Sequence, residues 1–257
     1  MEQYIDSIHN KVIKEINALT NKKDREKRGL FILEGDRLIS EINENWEIEY
    51  VVVSKSYDGN IEKYNKVYIV SEDMFSKISE TVTPQGIMAV CHINNFDETK
   101  IEHKENPFYI ILENVMDPGN MGTIIRTADA SGADGIFLSK GCVDIYNPKV
   151  IRATMGSIFH LPIYRNVNVV DVVKDFNSRN ITTLAAHLKG DKTPYNVNMK
   201  KGCAVIIGNE ANGLSDELSN NATCLVKIPM PGMAESMNAG IAAGILIYEA
   251  VRQRLGD

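Results

Sequence analysis

The stretch Ile110–Arg126, IILENVMDPGNMGTIIR, decides how the rest of the chain is read. Its apolar run Ile110-Ile111-Leu112 has strand character and ends in the turn-rich Asp117-Pro118-Gly119-Asn120. A helix follows, with Gly122, Thr123 and Ala130 as small residues on one face and Arg126 at its second turn. Gly122 and Arg126 stand at i and i+4 and share a face. The missing side chain of Gly122 leaves room beside the guanidinium for a ligand or another backbone. Strand-loop-helix units are common in α/β proteins, so this segment acquires meaning only beside others.

At 257 residues the chain has room for one large or two modest domains. Hydrophobic residues make up 44% and charged residues 24%, the balance of an ordinary globular protein. The longest apolar stretch, around Ile241–Tyr248, falls far short of the roughly 18–20 residues that span a bilayer, so no membrane partner is expected. The N-terminal MEQYIDSIHNKVIKEINAL alternates charged and apolar residues at helical spacing. It lacks the apolar core of a signal peptide, which points to the cytoplasm. Cys91, Cys142, Cys203 and Cys224 form no CxxC pair and read as buried free thiols. A net charge of −6 means that any nucleic acid must be held by a local patch. Lys11–Arg28 offers one: Lys11, Lys14, Lys22, Lys23, Arg25, Lys27 and Arg28 outnumber Glu15, Asp24 and Glu26 by four. A solvated charged helix is the plainer reading of such a run.

The pattern divides into a first unit over 1–93, a polar linker over 94–106 (NNFDETKIEHKEN) and a second unit over 107–257. In the first, a helix at about Ile5–Leu19 and a basic loop precede strands at Leu30–Leu33, Ile48–Val53, Val67–Val70 and Gly86–Cys91, with helices from Asp36 and Glu72. Thr83-Pro84-Gln85-Gly86 marks the turn into the last strand. In the second, strands at Tyr109–Leu112, Gly135–Ser139, Thr182–Ala186, Ala204–Ile207 and Leu225–Ile228 alternate with helices. One of these helices is opened by Pro148 and runs over Lys149–Met155. That alternation implies a parallel sheet covered on both faces.

Familiar chemistries are missing from the motif record. No GxGxxG follows a strand, and neither GxxxxGK[ST], HExxH nor GxSxG occurs. His9, His92, His103, His160 and His187 have no metal-ligand spacing, so no metal is expected. Two segments complement the opening one. Val205–Leu218, VIIGNEANGLSDEL, is a buried-type strand with a loop carrying two glycines and an acid. Leu225–Glu249, LVKIPMPGMAESMNAGIAAGILIYE, is a strand, a Pro/Gly/Met loop and a long helix of small and apolar residues.

Together the three segments resemble, in order and spacing, the three motifs of the SpoU (TrmH-like) RNA ribose 2′-O-methyltransferases of the SPOUT class. Motif one matches as Asn120-x-Gly122-x-x-x-Arg126, and motif two as Gly208-Asn209-Glu210-x-x-Gly213. Motif three matches as Ile228-Pro229-Met230 followed by Glu235-Ser236-Met237-Asn238. The Phe31–Gly35 stretch and the Thr-Pro-Gln-Gly segment resemble the small N-terminal α/β extension of many SpoU enzymes, usually credited with RNA binding. The resemblance implies an α/β fold with a deep trefoil knot in the C-terminal parallel sheet, something no residue pattern here would reveal. It implies a homodimer through the C-terminal domain and S-adenosylmethionine as cofactor.

Within that resemblance, adenosine is expected between the Gly208–Gly213 loop and the Ile228–Met237 loop. Backbone groups of Gly208, Ile228 and Met237 would hold the adenine, and Ala186 and Asn209 would lie alongside. Glycines permit close backbone approach, and Ile228, Met230 and Met237 offer apolar, polarisable surface, although each methionine alone reads as core. Arg126 is the carried-over catalytic centre, either as base or as a clamp on phosphate and developing negative charge. A guanidinium pKa above about 12 favours the clamp, and a surface pair with Asp129 is the bland alternative. Asn120 is a helix N-cap, a ribose-orienting group, or both. Ser236 and Asn238 begin the last helix, where capping is again the alternative. Glu210 accepts from ribose hydroxyls or the motif-one loop, or pairs with Arg126. Lys22, Lys23, Arg25, Arg28 and Arg152 are candidate RNA contacts. The last helix, Ser236–Arg254, is small and apolar nearly all round and must be buried, in the core or against a partner. The expected activity is ribose 2′-O-methylation of RNA (EC 2.1.1), with 23S ribosomal RNA favoured. Transfer RNA as substrate, and a catalytically silent RNA-binding assembly protein of the same fold, are the alternatives.

Overall fold

Continuous apolar runs in the second half become the centre of a sheet buried on both faces, and the shorter, mixed runs of the first half build a second sheet. The computed structural model describes residues 2–101 and 104–256. Glu102 of the expected linker and His103 of the histidine set lie outside the described residues. The chain separates into two units, Met1–Asn94 with Asp144–Phe159, and Asn95–Val143 with His160–Asp257. The excursion Asp144–Phe159 therefore groups with the first unit although it lies between two strands of the second.

The chain runs through β1 (Glu2–Tyr4), α1 (Lys11–Leu19), α2 (Lys22–Arg28), β2 (Leu30–Glu34), α3 (Asp36–Ser40), β3 (Ile48–Ser54), β4 (Val67–Val70), α4 (Glu72–Ile78) and β5 (Ile87–His92). These strands form one sheet in the order β1-β4-β3-β5-β2. The β1–β4 and β3–β4 pairs are parallel, whereas β5 pairs antiparallel with both β3 and β2. Ile13, Ile16 and Leu19 of α1 pack with Tyr50, Val52, Val70, Phe75 and Val90.

Two readings of this region change. The helix expected from Ile5 begins at Lys11, because the Asn10 side chain accepts from the Val12 N–H at 2.9 Å and caps it there. The preceding Glu2–Tyr4 instead adds a parallel edge strand, Glu2 opposite Val67, where ladder bonds outweigh the helical periodicity of a short segment. The basic loop is the helix α2, ended by Gly29 at φ 67°.

The second unit follows with β6 (Phe108–Leu112), α5 (Pro118–Ala130) and β7 (Gly135–Ser139). After α6 (Pro148–Thr154) in the excursion come β8 (Ile163–Val167), α7 (Val169–Ser178), β9 (Thr182–Ala186), β10 (Cys203–Ile207), α8 (Asp216–Asn221), β11 (Cys224–Val226) and α9 (Ala239–Leu255). Its six strands stand in the order β11-β9-β10-β6-β7-β8, and every pair is parallel. The central β6 and β10 are fully buried, with Cys203 opposite Phe108 and Ile207 opposite Leu112. Tyr109, Phe137, Tyr164 and Phe176 form a ring cluster beneath α7 on one face.

The strand β8 was not expected. Its Arg165-Asn166 breaks the apolar run, Asn166 takes φ 59°, and the pairing with β7 shifts register there. The final strand stops at Val226 rather than Ile228. The last helix starts at Ala239, leaving Ser236 in the loop before it. Its Ala239, Gly240, Ala243, Leu246, Ile247 and Ala250 are buried, but Ile241, Tyr248 and Leu255 are exposed. Burial is thus confined to one face within the chain. Cys91, Cys142 and Cys203 are buried free thiols, and Cys224 is free and half-buried. No helix among the described residues is long and apolar enough to cross a membrane.

Candidate active site

In this sheet the chain order reverses between β6 and β10, and the loops that leave the carboxyl ends of neighbouring strands there open a crevice of the kind in which α/β sheets bind ligands. The three motif loops leave β6, β10 and β11 at that end. α5 starts one turn earlier than the turn-rich Asp117–Asn120 suggested. Asp117 is its N-cap, accepting from Asn120 N–H at 2.7 Å, and Pro118 occupies the first turn, where a missing N–H costs nothing. The cap is therefore Asp117 rather than Asn120, and the Asp-Pro pair was the sequence signal for it.

Asn120 is released from capping and is 7% exposed. Its Nδ2 donates to Glu210 Oε1 at 3.0 Å, and its Oδ1 accepts from Asn238 Nδ2 at 2.8 Å. Asn238 in turn caps α9, its Oδ1 accepting from Ile241 N–H at 3.1 Å. Glu210 also accepts from the backbone N–H groups of Met116 at 3.2 Å and Asp117 at 3.1 Å. One residue from each motif is thereby joined in a single chain of bonds. Burial alone would raise the Glu210 carboxyl, but the hydrogen bonds from Asn120 and from backbone N–H groups outweigh it and hold the carboxyl below its ordinary value. Of the three readings of Glu210, the motif-one loop is its partner here.

Motif two closes on itself. Asn209 and Gly213 exchange backbone bonds at 3.0 and 2.9 Å, with Gly213 at φ 70°. The Asn209 side chain accepts from Ala211 and Asn212 N–H and donates to Asn114 O at 2.8 Å. A Cβ at Gly208 would stand 2.5 Å from Gly213 O and Leu214 N. What approaches Gly208 is the returning loop backbone, so the absent side chain serves the loop's own closure before any ligand. Glu113, not singled out from sequence, braces the same loop: its carboxylate accepts from Ser215 N–H and Oγ, both at 2.7 Å. Only the fold brings these residues, 102 positions apart, together.

Arg126 is exposed and, among the described residues, has no hydrogen-bond or ion-pair partner. Asp129 is taken by His160 Nδ1 at 2.9 Å, so the bland surface pair is not formed. Gly122 is buried, in keeping with a close neighbour in the chain rather than a ligand over it. Ser236 is exposed in the loop without a hydrogen bond among the described residues, and Met237 is 39% exposed. Ala186, Ile228 and Met230 are half-buried. Between Ile228 and Met237 no backbone N–H has a partner among the described residues. That leaves free polar backbone beside exposed Met233 and Met237, a surface suited to the edge and face of a purine.

The candidate RNA contacts of the first unit differ in kind. Arg25 is 3% exposed, and its guanidinium grips Asp144 at 2.6 and 2.9 Å as well as the carbonyls of Leu19 and Thr20 at 2.8 Å. It is a structural group, not a free cation for phosphate. A buried Arg looks the same in sequence as the exposed Lys22 and Lys23 beside it. Arg28 pairs with Glu15 at 2.9 Å, Lys22 with Glu26 at 3.8 Å and Arg152 with Glu80 at 4.0 Å, all on solvated faces.

The SpoU rRNA Methylase family model matches residues 107–248, and an MRM3-like substrate binding domain model matches residues 10–89. The chain is 34% identical over 247 residues to 23S rRNA (guanosine(2553)-2′-O)-methyltransferase RlmP of Bacillus subtilis, covering 95% of this chain and 97% of that protein. It is 30% identical to the 23S rRNA (uridine(2479)-2′-O)-methyltransferase of Streptomyces viridochromogenes, over 92% of this chain and 88% of that one. The crystal structure of the AdoMet-bound rRNA methyltransferase from Sinorhizobium meliloti superposes with a TM-score of 0.86 at 34% identity, covering 100% and 99% of the two chains.

Proposed function

The chain belongs to the SpoU rRNA methylase family, and we propose that it methylates a ribose 2′-hydroxyl of large-subunit ribosomal RNA with S-adenosylmethionine as donor. The observation that carries this reading is the Glu210–Asn120–Asn238 chain, which ties the three motif loops together at the carboxyl ends of the strands. The residues present fit the cofactor: unpaired backbone groups over Ile228–Met237, the flanking Met230 and Met237, and Ala186 at the end of β9 would hold adenosine and the methionine chain. When bound, S-adenosylmethionine supplies a methyl carbon made electrophilic by its sulfonium.

Activating a ribose hydroxyl then requires positioning and charge stabilisation. Arg126, exposed and without a partner among the described residues, holds the phosphate beside the target ribose and stabilises negative charge as the hydroxyl gives up its proton to solvent water. A guanidinium is a poor base, and the clamp is the role this reading gives Arg126. Asn120 and Asn238 are held at fixed orientation by Glu210 and the α9 N-terminus, and Ser236 faces solvent in the same loop, free to meet the ribose.

The working form in this reading is a homodimer. Ile241, Tyr248 and Leu255 are 59%, 51% and 82% exposed and recur every seven residues, one face of α9 left apolar in the single chain. The trefoil knot belongs to the same reading, supported by α9 leaving the edge strand β11 and returning to pack on α5 and β10. The first unit presents Lys22, Lys23 and Arg28 to RNA, and the work is done in the cytoplasm. Calorimetry with S-adenosylmethionine, followed by mapping of 2′-O-methyl groups in ribosomal RNA from cells with and without the gene, tests the proposal. Absence of cofactor affinity, or identical maps, defeats it.

A further inference from the structure

A cleft of the second unit, about 570 Å³, meets the residues expected to hold the cofactor only at Asn209 and Gly213 of the motif-two loop. Asn114, Met116, Gly141, Asn212, Leu214 and Asp216 are among its walls, whereas Ala186, Ile228, Met230 and Met237 are not. It opens over the carboxyl ends of β10, β6 and β7, beside the Glu210 network. Met116, whose N–H is bonded to Glu210, belongs to both, and Asn209 links the two through its bond to Asn114 O. A pocket that shares the motif-two loop with the expected cofactor site, but none of the Ile228–Met237 loop, is where the remainder of a reacting nucleotide can sit while its ribose faces the methyl donor.

The lining states what it can take. No Lys or Arg contributes to the wall, and Glu113 and Asp216 do, so a phosphate is repelled. Met116 is 58% exposed and faces the cleft together with Leu214, an apolar and polarisable surface for a flat ring. Most polar groups here are already occupied. Glu113 is bonded to Ser215, and Asn114 to Ser139 at 2.9 and 3.1 Å. A Cβ at Gly141 would fall on the Asn114 side-chain oxygen, so this floor is close-packed. Two side chains are left over: the Asp216 carboxylate and the Asn212 amide have no partner among the described residues.

We infer that this cleft receives the base of the target nucleotide and that Asp216 and Asn212 select guanine, an inference resting on the methyltransferase reading above. A carboxylate only accepts hydrogen bonds and has two oxygens to offer. Guanine alone among the four bases presents two adjacent donors, N1–H and N2–H2, to match them, with O6 beside them as acceptor for the Asn212 Nδ2 group. Uracil offers one donor between two acceptors, and cytosine and adenine each set an acceptor next to their amino group, which a carboxylate opposes. A fully bonded pair of this kind discriminates by about 1–3 kcal/mol, roughly fivefold to a hundredfold in rate constant.

The test uses the full-length protein, tritiated S-adenosylmethionine and protein-free large-subunit ribosomal RNA from cells lacking the gene, with the product digested to nucleosides. Label is expected in 2′-O-methylguanosine. Asp216→Asn, on the exposed first turn of α8, is expected to lower kcat/KM by about tenfold or more while the cofactor Kd stays within twofold. Asn212→Ala, which keeps the backbone N–H that Asn209 uses, is expected to lower it several-fold. A synthetic fragment with inosine at the target, lacking the 2-amino group, should be penalised with the wild type and much less with Asp216→Asn. Label in another nucleoside, or wild-type kcat/KM for both variants, overturns the assignment of the cleft and leaves the methyltransferase intact. Failure of the wild type both to bind cofactor and to label RNA overturns the methyltransferase reading, and this inference with it.

Discussion

Replacing Glu210 by Gln tests whether the hydrogen-bonded chain organises the site or merely accompanies it. The carboxylate accepts three N–H groups, from Met116, Asp117 and Asn120, at 3.2, 3.1 and 3.0 Å. An amide has one acceptor oxygen. Kept at the Oε1 position it retains the bonds from Asp117 and Asn120 in weaker, uncharged form, while its NH2 is turned against the Met116 N–H. Each such bond is worth about 0.5–1.5 kcal/mol net, toward the low end here because the residue is exposed to water. One bond lost and two weakened amount to about 1–2 kcal/mol, a fall in melting temperature of about 2–8 °C for a unit of this size.

The kinetic loss should be larger than the thermal one suggests. Asn120 would be held only by the weakened, uncharged bond to the amide oxygen, and Asn238 is oriented through Asn120, so kcat/KM should drop by about 10–100-fold, the scale of a small misplacement at a reacting centre. The pH dependence supplies a sign. The folded-state carboxyl of Glu210 is depressed, so its stabilisation is complete above the unfolded value and is lost as pH falls through the folded one. The melting difference between wild type and Glu210→Gln should therefore be full at neutral pH and shrink only below the ordinary glutamate range, about pH 4.3. Calorimetric melts across pH and steady-state methylation measure both. A variant with wild-type kcat/KM, or a melting difference that persists unchanged into acid, would refute the role given to the network.

Four further outcomes follow from the geometry. Arg126→Ala should leave cofactor affinity nearly intact and lower the methylation rate by about 10²–10³-fold, with Arg126→Lys rescuing only partly and retaining the wild-type pH profile; wild-type methylation by the alanine variant would return Arg126 to a surface residue. Gly208→Val should abolish cofactor binding by opening the Asn209–Gly213 loop, visible as lost amide protection at Gly213; a variant that loses binding with the loop still protected would make Gly208 a direct ligand contact. Arg25→Met strands the buried Asp144, whose side chain is 9% exposed, and should cost about 3 kcal/mol or more in denaturant unfolding of the first unit; a cost under 1 kcal/mol would contradict the structural role. Ile241→Asp with Tyr248→Asp should convert a sedimenting dimer to a monomer at micromolar concentration, whereas a monomeric wild type would remove the dimer from the proposal.

Elements whose burial is dictated by their own residues were legible in the chain. Gly135–Ser139 and Thr182–Ala186 are strands over the expected residues, because four or five consecutive apolar or small residues bounded by polar turns suit only a strand covered on both faces. Elements whose state is set by a distant partner were not. β1 exists because an edge of β4 is available 65 residues later, and β8 because β7 offers one; neither carries an apolar run strong enough to announce itself. The side chains follow the same division. Asn238 sits where its type and the following small-residue helix put it, as an N-cap. Arg25 could be placed only by knowing that Asp144, 119 residues on, would meet it.

Gly208 brings the two together in one position. Its residue type was legible, since only a side chain of no volume tolerates close approach, yet what approaches is determined by the turn of Asn209–Gly213 and not by a ligand. The same holds for Glu210, an acid in the expected place whose oxygens are spent on the motif-one loop and on Asn120. Motif residues of this protein thus act largely on one another. Arg126, Ser236 and the backbone from Ile228 to Met237 keep polar groups without a partner among the described residues, and the proposed function draws its reactant contacts from them. Spacing could name both kinds of residue but could not separate them, since separation depends on which hydrogen bonds the fold completes.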